Sequence, residues 1–360
     1  MALFHYSCFP RLGLSAATPS SASSSRPFSR STIAVAMAAA SAVESQECGE
    51  AAAAAIDLSR YPIPVTPLTG AKEIEYERAL VAEASMKSGP AITIDDVVFQ
   101  DEWILVINKP CGVYSEHVLV SVPSLLGDSY SPQYPIEKSR GFFHLANRLD
   151  RDTSGIIVIA RDKVAAGKLT NIFKSRELRK SYVALCVGKA PEWKRAVVES
   201  GHGKSRRGCW RVYSKHDVER SLPDGSVVKD MATKIEVIPS SLDEVKDGEE
   251  DDREQRIVVE AKMVDPEPGT GDEVFIRAVP LTGRTHQIRL HCQFLGLPLV
   301  GDVKYGGPLH WNGEKCQSHF LHSESIAFQH PMTGEVVEVI APHPSWAAKL
   351  KFQASKNPKV

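Results

Sequence analysis

The stretch Arg148-Leu-Asp-Arg-Asp-Thr-Ser-Gly-Ile-Ile-Val-Ile-Ala160 joins a dense cluster of charges directly to an apolar run. The apolar part, residues 156–160, is rich in β-branched side chains and predicts a fully buried strand. Asp150 and Asp152 lie at the mouth of that strand, and the arginines beside them favour the ionised carboxylates. An ionised, fixed aspartate can act as a nucleophile or a general base. The alternative is structural: both acids form ion pairs and cap the Thr-Ser-Gly turn.

Strands outnumber helices on both sides of this stretch. Two β-rich runs at 97–99 and 103–108, separated by a turn, predict a hairpin. Further strands are predicted at 182–187, 233–238, 256–263 and 273–279. Helices are predicted at about 72–86, from the spacing of Ile74, Leu80 and Ala84, at 163–175, from Val164, Leu169, Ile172 and Phe173, and at 286–295. Because helices and strands do not alternate regularly, the predicted fold class is α+β with a mainly antiparallel sheet, and not a doubly wound parallel sheet.

The overall composition is typical of a folded protein. The 360 residues are 42% apolar and 24% charged, which excludes collagen-like and wholly disordered chains. No apolar run approaches the roughly 20 residues that span a bilayer, so no membrane anchor is predicted. The seven cysteines are odd in number and form no Cys-x-x-Cys pair. A disulfide scaffold and a thiolate zinc site are therefore disfavoured, and a reducing compartment is expected.

The first 43 residues have the composition of a targeting segment. They contain ten serines, three arginines and no acidic residue, since Glu44 is the first. Prolines at positions 10 and 19 and the serine run 20–25 leave no room for the apolar core of a secretory signal. We predict an organelle transit peptide at 1–43, and serine outnumbering arginine favours the chloroplast over the mitochondrion. A disordered tail on a cytoplasmic protein is the alternative.

Composition and charge divide the rest of the chain. Residues 44–91 are predicted to be a linker or N-terminal extension, 92–345 the main folded domain, and 346–360 a tail. Residues 140–215 carry 18 Lys or Arg against 6 Asp or Glu, which indicates a surface for a polyanion, most simply nucleic acid. A merely soluble charged surface is the alternative. The acidic segment 242–255 is predicted to be a solvated insertion that stays away from the ligand.

A second cluster of polar residues lies in Leu281-Thr-Gly-Arg-Thr-His-Gln-Ile-Arg-Leu-His291. Donors around a turn that leads into a helix are suited to bind phosphate or to pair with a buried carboxylate. His286 and His291 invite a zinc interpretation, but their i,i+5 spacing puts them on different faces of a helix, so no metal site is predicted. In a third segment, 179–184, Tyr182 opens a strand where its ring could stack on a base, and a core tyrosine is the alternative.

The order of these and several shorter motifs resembles that of the RluA-type pseudouridine synthase family. The motifs are Asn108-Lys-Pro-x-Gly112, Arg148-Leu-Asp-Arg-Asp-Thr-Ser-Gly155, Lys180-x-Tyr-x-Ala184, Thr282-Gly-Arg-Thr-His-Gln-Ile-Arg289, Gly301-Asp-x-x-Tyr-Gly306, and Leu321-His322 followed by His330-Pro331. For residues 92–345 the resemblance implies a pseudouridine synthase catalytic domain: a mixed, mainly antiparallel sheet with flanking helices and a central catalytic cleft.

The resemblance also implies roles for individual residues. Asp150 is expected to be the catalytic aspartate, supported by Arg289, which would pair with it, and by Tyr182, which would pack against the target base. The residues implied in RNA binding are Arg148, Arg284, His286, Gln287 and Lys109. Asn147 stands where the family usually has histidine. Since asparagine also donates and accepts hydrogen bonds, local positioning is expected to survive.

The predicted function is therefore isomerisation of uridine to pseudouridine in RNA, with no metal or organic cofactor. The favoured substrates are rRNA or tRNA, and the enzyme is expected to be a monomer that does not bind membranes. Residues 201–215 are a predicted RNA-facing loop, because they mix six basic residues with Trp210 and Tyr213. The alternative function is a catalytically idle RNA-binding or ribosome-assembly factor on the same fold.

Overall fold

The apolar run that follows the charge cluster forms the strand β4 (Ser154–Ala160) in the middle of one half of a large sheet. The computed structural model describes residues 61, 70–127, 143–175, 177–238, 254–260, 271–348 and 350. Alternate side chains of β4 enter two different hydrophobic clusters, Ile156 and Val158 one of them and Ile157 and Ile159 the other. The strand is buried on both faces because it has no polar side to turn to water.

Within the described residues, four helices flank the sheets. The helices are α1 (Ala71–Ser88), α2 (Ser115–Leu125), α3 (Lys163–Ser175) and α4 (Gln287–Phe294). The strands besides β4 are β1 (Val97–Gln100), β2 (Ile104–Lys109), β3 (His144–Leu145), β5 (Arg179–Gly188), β6 (Arg195–Lys204), β7 (Trp210–Tyr213), β8 (Lys229–Ile238), β9 (Gln255–Val258), β10 (Asp272–Pro280), β11 (His310–Trp311), β12 (Glu314–Lys315), β13 (Leu321–Gln329) and β14 (Val336–Ile340).

The large sheet confirms the predicted α+β class with mixed, mainly antiparallel pairing. Its main path runs β1-β2-β4-β13-β5-β10-β8-β6-β7, with β3 beside β4, β14 beside β13 and β9 beside β6. Among these pairs, β4–β13 and β6–β9 are parallel and the others antiparallel. The parallel pair β4–β13 therefore joins two mainly antiparallel halves, each with its own hydrophobic clusters.

Gly155 allows the two halves to meet closely. Its φ is 106°, and a Cβ placed there would lie 2.3 Å from the carbonyl oxygen of Ser323 on β13. Only glycine fits such an approach without moving backbone. The charged loop before β4 consequently lies directly at the junction of the halves.

The local periodicity of the sequence located most elements but not every buried face. The β1–β2 hairpin is present, and α3 has the predicted bounds and buries Leu169. Val164, which the spacing predicts on the apolar face of α3, is exposed, because Ala165 faces the core instead. Helix α1 is present and slightly longer than predicted, yet Leu80 is exposed and its buried side chains are Ala71, Arg78 and Ala82.

Residues 201–215 are not the predicted loop. They belong largely to the antiparallel hairpin β6–β7, in which Gly203 packs under the ring of Tyr213. His202, Arg211 and Tyr213 are buried, because the hairpin folds onto the sheet. Of the predicted strand at 256–263, β9 contains residues up to Val258, and residues 261–263 lie outside the described part of the chain.

Several predicted segments lie outside the described residues. These are the leader 1–43, residues 242–253 of the acidic insertion and the end of the tail, 351–360. The described residues all fall within one unit, residues 57–360. No helix among them is long and apolar enough to cross a membrane.

Candidate active site

Asp150 lies at the junction of the two halves, and its carboxylate is held by Arg289 from α4. Nη1 of Arg289 donates to Oδ2 of Asp150 at 3.0 Å, so the predicted pairing is present. The Asp150 side chain is 29% exposed, whereas the Arg289 side chain is almost fully buried. A buried guanidinium therefore holds a carboxylate that still faces solvent.

Arg289 is itself fixed from two sides. Its Nε and Nη2 donate to the two oxygens of Asp302 at 2.7 and 2.8 Å, a bidentate pair. The guanidinium carbon also lies 4.9 Å from the centre of the Tyr305 ring. Burial lowers the pKa of Arg289, but the charges of Asp302 and Asp150 outweigh burial and keep the pKa well above its usual value. Arg289 is a permanent cation in a defined orientation.

His286 is the second group next to the Asp150 carboxylate. It precedes α4 in a left-handed conformation, φ 57°, which turns its ring toward Asp150, with Nε2 3.7 Å from Oδ2. Its Nδ1 is hydrogen-bonded to the Tyr305 hydroxyl at 2.7 Å. Burial lowers the pKa of His286 to about 3, so the imidazole is neutral at pH 7.

The charge of Arg289 decides the ionisation of Asp150. Burial raises the pKa of the Asp150 carboxyl, while His286 and Arg289 lower it, and the net result lies well below the usual range. Because His286 is neutral at pH 7, we assign the lowering to Arg289. Asp150 is thus a partly exposed, ionised carboxylate.

Asp152, two residues further on, has a different environment. Arg151 donates to both of its oxygens, from Nε at 2.6 Å and from Nη2 at 2.9 Å. Arg78 of α1 approaches the same carboxylate at 3.4 Å, and the Asp152 side chain is 4% exposed. Burial raises the pKa of Asp152, but the arginines outweigh burial and the pKa is lowered. The structural alternative, an ion-paired acid at the Thr-Ser-Gly turn, therefore describes Asp152.

Lys109 does not lie on an RNA-facing surface, contrary to the prediction. Its side chain is fully buried, and Nζ donates to the carbonyl oxygens of Pro110, Val113 and Arg151 at 2.7–2.9 Å. Nζ therefore has three backbone partners, and the bond to Arg151 supports the loop that carries Asp150. Burial lowers the pKa of Lys109 to about 7.

Gln287 is likewise internal and not an RNA contact. Its amide nitrogen donates to the carbonyl oxygen of Ala232 and to the Thr233 hydroxyl, and its amide oxygen accepts from Thr282 and from the backbone of Arg284. A buried amide with both ends bonded locks the turn before α4 onto β8.

Tyr182 and Asn147 both lie near the Asp150 loop, Tyr182 half-buried and not among the residues that line the pocket at Asp150. Burial raises the pKa of Tyr182, a hydrogen bond with Ser323 opposes this, and the nearby Asp150 charge raises it further. The tyrosine is therefore neutral beside the carboxylate. Asn147 donates to the carbonyl oxygen of Ile156 and accepts from the backbone of Val158, so it ties the loop to β4 as a histidine could.

Arg148 and Arg284 are not among the residues that line the pocket at Asp150. The Arg148 side chain is 71% exposed and pairs with Glu116. Nε of Arg284 donates to the carbonyl oxygen of Asp230 at the far side of the turn before α4. The pocket is lined by Glu75, Asp150, Arg151, Asp152, His286, Arg289, Lys304 and His319. No cluster of three potential metal-ligating side chains occurs in the described part of the chain.

The sequence as a whole is similar to that of a known protein family. A family model described as RNA pseudouridylate synthase matches residues 103–294. RNA pseudouridine synthase 1 of Arabidopsis thaliana is 45% identical over 296 residues, covering 80% of this chain and 87% of the relative. The chain belongs to the RNA pseudouridylate synthase family. It is therefore an RNA-modifying isomerase.

Further similar proteins cover between 68% and 80% of this chain. RNA pseudouridine synthase 1 of Oryza sativa subsp. japonica is 45% identical over 300 residues, 80% of this chain and 83% of the relative. Ribosomal large subunit pseudouridine synthase C of Pasteurella multocida is 31% identical over 257 residues, 68% of this chain and 64% of the relative. The solved structure of human RNA pseudouridylate synthase domain containing 1 is 25% identical and covers 69% of this chain and 83% of its own, with a TM-score of 0.47.

Four site residues of this enzyme carried no predicted role. Asp302 and Tyr305 stand in the quoted motif Gly301-Asp-x-x-Tyr-Gly306, which is the signal that could have identified them. The neutral, buried His319 is hydrogen-bonded to Thr153 of the Asp150 loop at 2.7 Å. Nothing in the sequence pointed to a role for Arg78, because α1 was predicted only from the spacing of its apolar residues.

Proposed function

We propose that this synthase converts uridine to pseudouridine in RNA with Asp150 as the catalytic aspartate. The observation that carries the proposal is that Asp150 is ionised, accessible from the pocket and held at one oxygen by Arg289. A pre-positioned carboxylate of this kind is poised for nucleophilic or general-base catalysis.

The chemistry needs no reactant besides the RNA. The N1–C1′ bond of uridine breaks, the uracil turns within the pocket, and a C5–C1′ bond forms. C5 loses a proton and N1 gains one, so the composition and oxidation state of the nucleoside are unchanged. Three roles of Asp150 are compatible with its position: addition to C1′, addition to C6, or removal of a sugar proton.

Tyr182 is proposed to pack against the extruded base, and Arg148 to enter the RNA stack where that base has left. The target base must leave its stack, which costs a few kcal/mol. Tyr182, neutral and next to Asp150, can pack against the extruded base. Arg148 is exposed and bound to an exposed glutamate, and such a surface pair is weak enough to exchange for RNA.

The substrate is proposed to be rRNA or tRNA. The name of the Pasteurella multocida relative refers to the large ribosomal subunit, which favours rRNA. The basic segment 140–215 supports binding of a polyanion, and the turn between β6 and β7 exposes Arg206 and Arg207. Affinity for RNA should therefore fall steeply with salt as counterions are released, and a flat salt profile would contradict this surface.

The test is a map of pseudouridines in organellar and cytosolic RNA with and without the protein. Sites that disappear without it should return with the wild-type enzyme and with Asp95→Asn, an exposed control, but not with Asp150→Asn. If Asp150→Asn restores them, the catalytic assignment fails. A change confined to tRNA would exclude rRNA as the substrate.

We further propose that residues 1–43 direct the enzyme to the chloroplast, with the mitochondrion and cytoplasm as alternative outcomes. The support is the acid-free, serine-rich composition. These residues fused to a fluorescent reporter should accumulate in plastids, and the same fusion with Arg11→Glu, Arg26→Glu and Arg30→Glu should not. A diffuse cytosolic signal from the unmodified fusion would contradict the proposal.

The enzyme is proposed to act as a monomer. Light scattering of the purified enzyme with and without RNA tests this directly. A stable dimer would contradict it.

A further inference from the structure

Helix α1 reaches the active site through Arg78. The Arg78 side chain is 7% exposed. Its Nη1 donates to the carbonyl oxygen of Gly301 at 3.0 Å and faces Oδ2 of Asp152 at 3.4 Å, and its Nη2 donates to the carbonyl oxygen of Cys316 at 2.7 Å. A buried guanidinium whose donors end on three separate segments is fixed in position and in orientation.

Arg78 and Arg289 bridge the same two segments. Arg289 joins Asp150 to Asp302, and Arg78 joins Asp152 to Gly301. Asp152 follows Asp150 by two residues, and Gly301 directly precedes Asp302. The two arginines therefore tie the Asp150 loop to the segment 301–302 at neighbouring positions of both.

Glu75 connects α1 to the pocket itself. Its carboxylate lies 3.6 Å from Arg78 and 3.6 Å from Arg151, and Glu75 is one of the residues that line the pocket. The carbonyl oxygen of Glu75 also accepts from Arg151 at 3.3 Å. The helix is therefore a wall of the site, although it precedes the family match at 103–294.

We propose that Arg78 is a positioning residue for the isomerisation, fixing the loop of Asp150 against the segment of Asp302. It thereby sets the distance between Asp150 and Asp302, the two carboxylates that Arg289 joins. The inference rests on the proposed function of Asp150. Since a misplacement of about 1 Å can cost about 100-fold in rate, loss of the bridge should lower turnover. RNA affinity should change little, because Arg78 is buried.

The experiment compares kcat, KM and melting temperature of the wild-type enzyme, Arg78→Lys and Arg78→Ala on one RNA substrate. Two matched controls lie on the same helix: Lys87→Ala, which is exposed, and Glu77→Gln, which removes the exposed ion pair of α1 with Lys315. We expect kcat of both Arg78 variants to fall about 10- to 100-fold with KM within about twofold. The controls should match the wild type. Lysine should not replace Arg78, because a single ammonium group cannot reach all three partners of the two guanidinium nitrogens.

Arg78→Lys decides the question if Arg78→Ala does not fold, since it keeps the charge and nearly the length. A folded Arg78→Lys enzyme with normal kcat and a lowered melting temperature would overturn the inference, because Arg78 would then only dock the helix. An effect confined to KM would overturn it as well. A wild-type enzyme without activity would instead refute the proposed function, so the two failures are distinguishable.

Discussion

The cleft side and the helix side of the loop before β4 hold two carboxylates in contrasting environments. On the cleft side, Asp150 is 29% exposed and bound at one oxygen by Arg289. On the helix side, Asp152 is 4% exposed and bound at both oxygens by Arg151, with Arg78 beside it. Asp150 keeps one oxygen that Arg289 does not bind and is open to solvent, so it can act on a substrate. Asp152 has both oxygens bound by Arg151, which fits a structural role.

The difference is made by distant segments and not by neighbours in sequence. Each aspartate has an arginine one or two residues before it, yet Arg148 turns to solvent and pairs with Glu116 while Arg151 turns inward to Asp152. Asp150 is held instead by α4, and Asp152 additionally by α1. The same local pattern therefore produces an accessible acid and a sealed one.

Removing the arginine of the cleft side should have the largest effect. Arg289→Ala should lower turnover by about 100-fold or more, because Asp150 loses the guanidinium bonded to it and the buried Asp302 loses its counter-charge. Arg289→Lys should be nearly as damaging, since a point charge does not hold two carboxylates as a fork does. Single-turnover assays measure both. Full activity of Arg289→Lys would show that only the positive charge of Arg289 matters and that its fork does not orient Asp150.

On the helix side, substitution should affect stability more than chemistry. Asp152→Asn leaves Arg151 and Arg78 without their buried counter-charge and should cost about 3 kcal/mol in the free energy of unfolding. The exposed Asp95→Asn should stay within about 0.5 kcal/mol of the wild type. Urea denaturation measures the difference. An Asp152→Asn enzyme as stable as the wild type would contradict the structural role of Asp152.

The pH dependence of stability should show a smaller effect. The pKa values of Asp150 and Asp152 are lowered in the folded state, so their contribution is present above the ordinary value of 3.8 and is lost as the pH falls below it. Asp150→Asn and Asp152→Asn should each flatten the loss of unfolding free energy below about pH 4. An unchanged slope in both variants would show that neither carboxylate is stabilised by folding.

Local patterns predicted the fold better than they predicted burial of polar side chains. The β1–β2 hairpin, α3 and α4 follow from periodicity and turn residues that lie within each element. The β6–β7 hairpin was missed because glycines and basic residues are typical of loops, and the ring of Tyr213 that covers Gly203 comes from the partner strand.

Within the site, the resemblance identified the pair Asp150–Arg289 but misplaced Lys109 and Gln287. Each is bound in part by a backbone group far along the chain, Lys109 by the carbonyl oxygen of Arg151 and Gln287 by that of Ala232, and residue type does not reveal such partners. Arg78 was overlooked for the same reason: its role depends on Gly301 and Cys316, more than 200 residues away. Polar residues buried by distant partners are the part of the site that needs the structure.

The central claim is that Asp150 performs the chemistry and Asp152 only supports it. Purified Asp150→Asn and Asp152→Asn enzymes, each in excess over one RNA substrate, should bind it comparably while pseudouridine formation is followed over time. We predict no conversion by Asp150→Asn and measurable conversion by Asp152→Asn below its melting temperature. Conversion by Asp150→Asn would contradict the account.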